Sequence, residues 1–396
     1  MSHRYSWRLQ HFGALPIAFK LNVVLIAAIF VILGAAGASL SFWLTGRMEE
    51  RSLSDLRRSN QQIVDMIGAY SDALEQSTRM LAAQFTASIP APLGRDAAHL
   101  QASGTGEFPA LRSGEQVLNN HNAPMEAFTA NTGAVATALV RVDGDFVRIA
   151  TSIKDEKGQR ALGIPLGKSH PAVAGLLDGK PYTGRATMFG RNYMTHYTPL
   201  RDAAGQVVGA TFVGIDFTNG LAALKQRVLS LKIGETGYAF ALDAGSEPGQ
   251  ALIHPAAEGK NLIDMKDNDG RAFIREMITM KQGVIRYPWM NASLGDSHPR
   301  EKITVFQHFP KWNWVVGSGS YQEEFTRDIH GMLVRLAVIG FAIVTALVVV
   351  VYITTRHWLG KPLGEALHLT QRVAQGDLTV SISARHAAEG GQLLAA

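Results

Sequence analysis

The chain has 396 residues, of which 46% are hydrophobic and 18% charged, with a formal net charge of +5. So small a charge excludes a chain built to coat nucleic acid. The absence of cysteine excludes disulfides and thiolate metal sites, and suits exposure outside the cytoplasm.

The first twenty residues carry Arg4, Arg8 and Lys20 and no acid. Leu21–Leu44 then runs without a charge, and so does Leu336–Thr355 near the other end. About 20 apolar helical residues cross a bilayer core, so both stretches can span. A cleaved signal peptide is the alternative for the first, with Ala36-Gly37-Ala38 as its small-residue site. Its apolar core exceeds the usual h-region of roughly 7–15 residues, which favours a retained anchor. Arg356, Lys361 and Arg372 follow the second stretch. By the positive-inside rule both ends are cytoplasmic and the middle faces outward.

From Arg47 to Ile89 there is no proline and a single glycine, Gly68. Leu56, Ile63 and Tyr70 form one seven-residue row; Leu53, Ile67, Leu74 and Leu81 form another, with Asn60 in its gap. Two such rows predict a helix with one apolar seam. The seam packs either on its own globular domain alone or also on a twin helix in a homodimer.

After Ala134 strand patterns dominate. Asp143-Gly144 turns one hairpin, and Asp202–Gly205 turns another. "HPAVAGLLDGKPY" between them reads as a short helix and loop. The same order recurs as "TGYAFALDAGSEPGQALIHP", "DGRAFIREMI", "QGVIRYPWMN" and "REKITVFQHFPKWNWVVGSGSY". One module is thus used twice, at about 134–217 and 234–321, joined by a helix over 219–232. The expected class is α+β. His254, His298 and His308 lack a spacing that converges on a metal. "GSG" at 317–319 is no phosphate loop, and no catalytic serine, histidine and acid follow a known order. No catalytic residue, cofactor or metal is expected.

"GETGYAFALD", "LIHPAAEGKNL", "GVIRYPW" and "FPKWNWVVGSGSY", with "GDFVRIATSI", "SHPAVAGLLDGKPY" and "GRATMFGRNYMTHYTPLRDAAGQVVGATFVGID" before them, resemble the periplasmic double Cache domain of methyl-accepting bacterial chemoreceptors. The resemblance covers about 48–325. It implies two PAS-like antiparallel sheets strung on a long helix (48–89), between membrane spans at 21–44 and 336–355. "LGKPLGEALHLTQRVAQGDLTVSI" resembles the start of a HAMP coiled coil, expected at 356–396 after a leader of 1–20. Gly390 departs from that pattern, since glycine costs about 1 kcal/mol of helix propensity relative to alanine. The HAMP segment is expected to be truncated, as in a piece of a longer receptor.

Several residues follow as candidates. Arg191, Tyr193, Thr195 and Tyr197 alternate onto one face of a strand, with Arg185, Arg148 and Thr151 nearby. Guanidiniums among tyrosines suit a carboxylate, because an arginine fork pairs both oxygens. Surface ion pairs with Asp143, Asp145 or Asp202 are the competing role. Asp216 either grips a ligand ammonium, as the resemblance implies, or caps the next helix. Lys168 and His170 stand at the edge of this set. The second module offers Arg286, Tyr287, Trp289 and Lys302, but the resemblance places the ligand in the first, membrane-distal module. Tyr321, Pro362 and Glu389 are the expected signal-transmission residues. The function implied is a transmembrane chemoreceptor of the inner membrane, homodimeric, with cytoplasmic signalling partners. A histidine kinase or diguanylate cyclase with the same sensor is the alternative; a membrane-anchored enzyme or adhesin would need no HAMP segment.

Overall fold

The computed structural model describes residues 17–355, apart from 105 and 291–295, together with isolated positions between 357 and 375. Most of the segment expected to be HAMP, including Pro362 and Glu389, lies outside the described residues. The chain divides into two compact units: Leu53–Gln322, and a second made of Met1–Ser52 with Glu323–Ala396.

The second unit is helical where described. Helix α1 (Ile17–Ala87) contains the apolar window Ile26–Trp43, of mean hydropathy 2.0, and a helix after the sheets (Gln322–Thr355) contains Val334–Thr355, of mean hydropathy 2.9. Both are long and apolar enough to cross a membrane. Their large apolar side chains, among them Phe42, Trp43, Val338 and Phe341, are exposed, as in a helix solvated by lipid tails.

The first unit is built on the rest of α1. Its seam is consumed by its own domain: Leu56, Ile63, Ile67 and Phe85 are buried, with Tyr70 and Leu74 packed alongside. Each such buried side chain contributes about 1.5–3 kcal/mol. The outer side of α1 carries Gln62, Ala69, Ala73, Gln76, Met80 and Ala83, all exposed.

A three-stranded sheet then covers the helix end: β1 (Leu93–Ser103), β2 (Gly106–Ser113) and β3 (Gln116–Val117), followed by α2 (Ala123–Thr132). The sequence reading assigned nothing to this region. β1 is poor in β-branched residues, and a register shift between Asp96 and Leu100 breaks its alternation.

The first module comprises β4 (Val135–Val142), β5 (Asp145–Thr151), α3 (Pro171–Leu177), β6 (Tyr182–Met188), β7 (Arg191–Arg201) and β8 (Val207–Asp216). Asp143 and Gly144 both take positive φ, the requirement of a tight two-residue hairpin turn. α4 (Thr218–Leu229) leads to the second module: β9 (Tyr238–Asp243), β10 (Ala251–Ile253), α5 (Phe273–Met280), β11 (Gly283–Trp289), β12 (Arg300–Phe309) and β13 (Trp314–Tyr321). The sheet orders are β5-β4-β8-β7-β6 and β10-β9-β13-β12-β11, every pairing antiparallel. The expected α+β class with two repeated sheets is what the chain adopts. In each sheet one face packs on α1 and the other on the helical insert, α3 or α5. The helix over 322–355, α6, begins directly after β13.

Candidate functional site

Strand alternation decides which side chains share a face. In the second module, Tyr321 pairs Lys302, Lys302 pairs Tyr287, and Gly319 pairs both Tyr238 and Thr304. These residues therefore look toward the insert. Gly317 and Gly319 form the middle of this floor. A Cβ on Gly317 would stand 2.4 Å from the Phe240 ring, and one on Gly319 would stand 2.4 Å from Thr304 Oγ1 and 3.2 Å from Lys302 Cε. Their side chains are missing so that Phe240 and Lys302 can lie across the strand.

Above this floor is a cavity lined by Tyr238, Phe240, Leu242, His254, Leu262, Met265, Phe273, Ile274, Tyr287 and Trp289. The cavity is small, ≈ 20 Å³, room for about one water as it stands, so a ligand of several heavy atoms requires its walls to move apart. The walls are apolar and aromatic: Phe273 stacks on Tyr287 at 4.2 Å, and Trp289 meets Phe273 edge-on at 5.5 Å.

Polar groups gather around the Tyr238 wall. Lys302 is 1% exposed, and its ammonium sits 3.6 Å from the centre of the Tyr238 ring and 5.8 Å from that of Tyr321. Arg300 lies 3.5 Å over the other ring, Tyr321, and pairs with Asp296 at 2.8 Å. The His254 ring stands 5.2 Å from Tyr238. Its Nδ1 accepts from the backbone N–H groups of Ala256 and Ala257 at 3.1 and 3.0 Å. Burial first, and then the nearby Lys302 charge, push its pKa down to about 4. His254 is thus neutral at pH 7 and carries its proton on Nε2, as a donor. Burial also raises the Tyr238 and Tyr287 phenols, so both stay protonated; Tyr287 shares a hydrogen bond with Thr304 Oγ1 at 3.3 Å. Neutral donors in an aromatic cage, with a buried cation close behind the Tyr238 ring, favour a small polar or anionic group with a short apolar tail. Arg286, on the opposite face of β11 from Tyr287, is exposed.

The first module is arranged differently. Phe212 pairs Tyr197, and Tyr197 pairs Tyr182. The Tyr197 ring packs 4.9 Å from Phe212, 5.4 Å from His170 and 6.2 Å from Tyr182. Burial pushes its phenol up to about 12. Arg148, half-buried, donates to the Ile164 carbonyl at 3.4 Å. Its pKa is lowered by burial, which Tyr197 and Asp145 oppose. His170, lowered by burial and then by Arg148, caps α3 by accepting from the Ala172 N–H at 3.1 Å. Arg148, Tyr197 and His170 therefore do come together. Thr151 is fully buried and shares a hydrogen bond with Thr137 at 2.7 Å, a tie between strands. Lys168 is exposed.

The other candidates lie apart. Arg191, 65% exposed along its side chain, pairs with Asp216 at 2.8 Å. Asp216 also accepts from the Thr218 N–H at 2.9 Å at the start of α4. Burial raises its carboxyl, but the bonds from Thr218 and Arg191 outweigh that and hold it below the usual range. Asp216 precedes the N-cap residue Phe217, so its bond to the Thr218 N–H ties down the first turn of α4 from one position further out. Tyr193 is buried beside this pair, its phenol raised by burial and by Asp216. Thr195 donates to the Gly184 carbonyl at 2.7 Å. Arg185 does not share the face of Tyr197. It pairs Met194, whose side chain belongs to the core on the α1 side, and its guanidinium reaches Trp312 of the second module.

Sequence reasoning treated His254 as scattered and gave Tyr238 and Thr304 no role. The signal was period two: Lys302-x-Thr304-x-Phe306 facing Gly317-x-Gly319-x-Tyr321. Among the described residues no cluster of histidines and acids could hold a metal.

The model of the "Cache 3/Cache 2 fusion domain" family matches residues 44–334. The methyl-accepting chemotaxis protein McpP of Pseudomonas putida is 26% identical over 156 residues, 38% of this chain and 28% of that protein. The sensor histidine kinase MctS of Rhizobium johnstonii is 33% identical over 112 residues, 26% of this chain and 23% of that protein. The chain thus spans under a third of the length of either curated relative. The sensory domain of the Campylobacter jejuni chemoreceptor Tlp3 aligns over 71% of this chain and 98% of its own at 10% identity, with a TM-score of 0.41.

Proposed function

The chain belongs to the Cache 3/Cache 2 fusion domain family, and on that premise we propose that it is the sensing part of a transmembrane receptor that binds a small carboxylate in the second module. One observation carries the ligand class: the Lys302 ammonium, 1% exposed, lies 3.6 Å from the ring of Tyr238, a residue that lines the aromatic cavity. A carboxylate in the cavity would direct one oxygen toward the Nε2–H of His254 and the other toward the Tyr238 edge, in the field of the Lys302 charge. A charge-assisted pair in so sheltered a place is strong, and the small cavity selects a short tail.

The apolar helices support a membrane location for both ends, with the sheets outside the cytoplasm. Tyr321 would carry the signal: it ends β13 opposite Lys302, and α6 starts at the next residue. Ligand capture that draws Lys302 from the tyrosine rings would shift β13 and pass the shift into α6. Two copies would pair through the outer side of α1, because its apolar seam is already used. The output favoured is that of a chemoreceptor, without catalysis by this chain. The sensor kinase among the relatives supports a second reading, which autophosphorylation of the receptor isolated from its own cells would establish.

Calorimetric titration of the chain with acetate, propionate, pyruvate and amino acids tests the binding claim. The expected result is carboxylate binding that Lys302→Met removes. Amino-acid binding lost in Arg148→Ala but kept in Lys302→Met would overturn it.

A further inference from the structure

The β12–β13 hairpin has two ends with different neighbours. One end carries Lys302 and Tyr321, paired across the two strands. The other, Phe309–Trp314, lies where the modules meet. There Lys311 bonds Asp72 of α1, and Glu75 at 3.1 Å. The Trp312 ring is enclosed by Tyr70 at 6.3 Å, by Phe217 at 5.9 Å and by Trp314 at 4.8 Å. Phe217 directly follows the first module's last strand.

Into this joint reaches Arg185, from β6 of the first module. The residue as a whole is exposed, but its guanidinium is 4.7 Å from the centre of the Trp312 ring and 5.4 Å from that of Trp314. Its Nη2 donates to the Trp312 carbonyl at 3.1 Å. Shelter lowers its pKa to about 10, opposed by attraction to Asp243 at the end of β9, so it remains charged at pH 7. One side chain of the first module thus binds a backbone carbonyl and two indoles of the second.

We infer that Arg185 is a latch between the modules, a positioning residue that holds the β12–β13 tip to the first sheet so that the two sheets move as one. A cation suits a latch better than an apolar side chain. Docked, it gains the indole faces and the carbonyl; undocked, it regains water. The closed and open joints therefore lie close in free energy, and a small strain in either sheet can open it. The first module, whose insert-side face is filled with rings, would by this route set how readily β13 moves. This inference is independent of which ligand occupies the cavity.

The test is hydrogen exchange of the full chain in lipid nanodiscs across a urea series, read separately for β8 and β13. The wild type should lose protection in both strands in one transition. Arg185→Ala should split it into two, with midpoints separated by about 1 M urea. Arg185→Lys, which keeps a cation over the indoles, should close at least half of that separation. A single transition in Arg185→Ala, or two in the wild type, would overturn the latch. So would loss of protection of β8 in Arg185→Ala without urea, which would make Arg185 a folding residue of the first sheet. An Arg185→Lys protein split as widely as Arg185→Ala would remove the cation from the account.

Discussion

The two sheets have the same strand order and opposite interiors. At matching places on the central strand, the first module has Phe212 and Gly214 and the second has Gly317 and Gly319. Phe212 fills the insert-side face of its sheet with a ring that Tyr197, Tyr182 and His170 extend. In the second sheet the glycine floor leaves the space to Phe240 and Lys302. The next row differs as well: Tyr193 paired with Asp216 in one sheet, Lys302 paired with Tyr321 in the other. One fold thus places packed rings over the central strand in one copy and two glycines, with a buried lysine beside them, in the other. Topology alone says little about which module holds a ligand.

The comparison breaks most sharply at Lys302. Lys302→Met should lower carboxylate affinity by at least about 100-fold, the scale of removing one partner of a desolvated charge pair, as titration calorimetry would register. Refilling the floor comes next. Gly317→Val forces the Phe240 ring into the cavity and should cost about 1–3 kcal/mol of stability together with binding. The converse, Phe212→Ala, should cost about 3–5 kcal/mol in urea denaturation and leave carboxylate affinity unchanged.

A third difference is acid sensitivity. His254 is held down to about 4, against an ordinary 6.5. Between those values the unfolded chain binds the proton that the folded chain refuses. Stability from this site is therefore complete above pH 6.5 and is lost as pH falls toward 4. His254→Gln should remove that share of the acid-induced drop in the urea midpoint while leaving the remainder. The smallest effects belong to the exposed pair in the first module. Asp216→Ala should cost about 1 kcal/mol through the lost bond to the first turn of α4. Arg191→Ala should cost about 0–1 kcal/mol, and neither should change carboxylate affinity.

Much of this was legible in the sequence. Repeated hairpins, insert helices and the Asp143-Gly144 turn gave two sheets because alternation and turn chemistry are local signals. The charge-free stretches gave the membrane-length helices for the same reason. The β1–β2 sheet was not legible, since its strands lack alternation and depend on packing Leu111 and the following Leu118 into a cluster with Phe85 of α1. The site was half legible. Alternation set Tyr193, Thr195 and Tyr197 on one face but could not say that rings fill it. Arg185 was credited to that face because the register of β6 against β7 is a tertiary fact. His254 was invisible, because only the folded loop after β10 fixes its tautomer and brings it to Tyr238.

The central claim is tested most directly by a crystal structure of the chain with bound propionate. The account predicts the carboxylate within hydrogen-bond reach of His254 Nε2 and beside the Tyr238 edge, with the Phe212 and Tyr197 rings packed as they are here. A carboxylate seated instead against Arg148 and Tyr197 would contradict it.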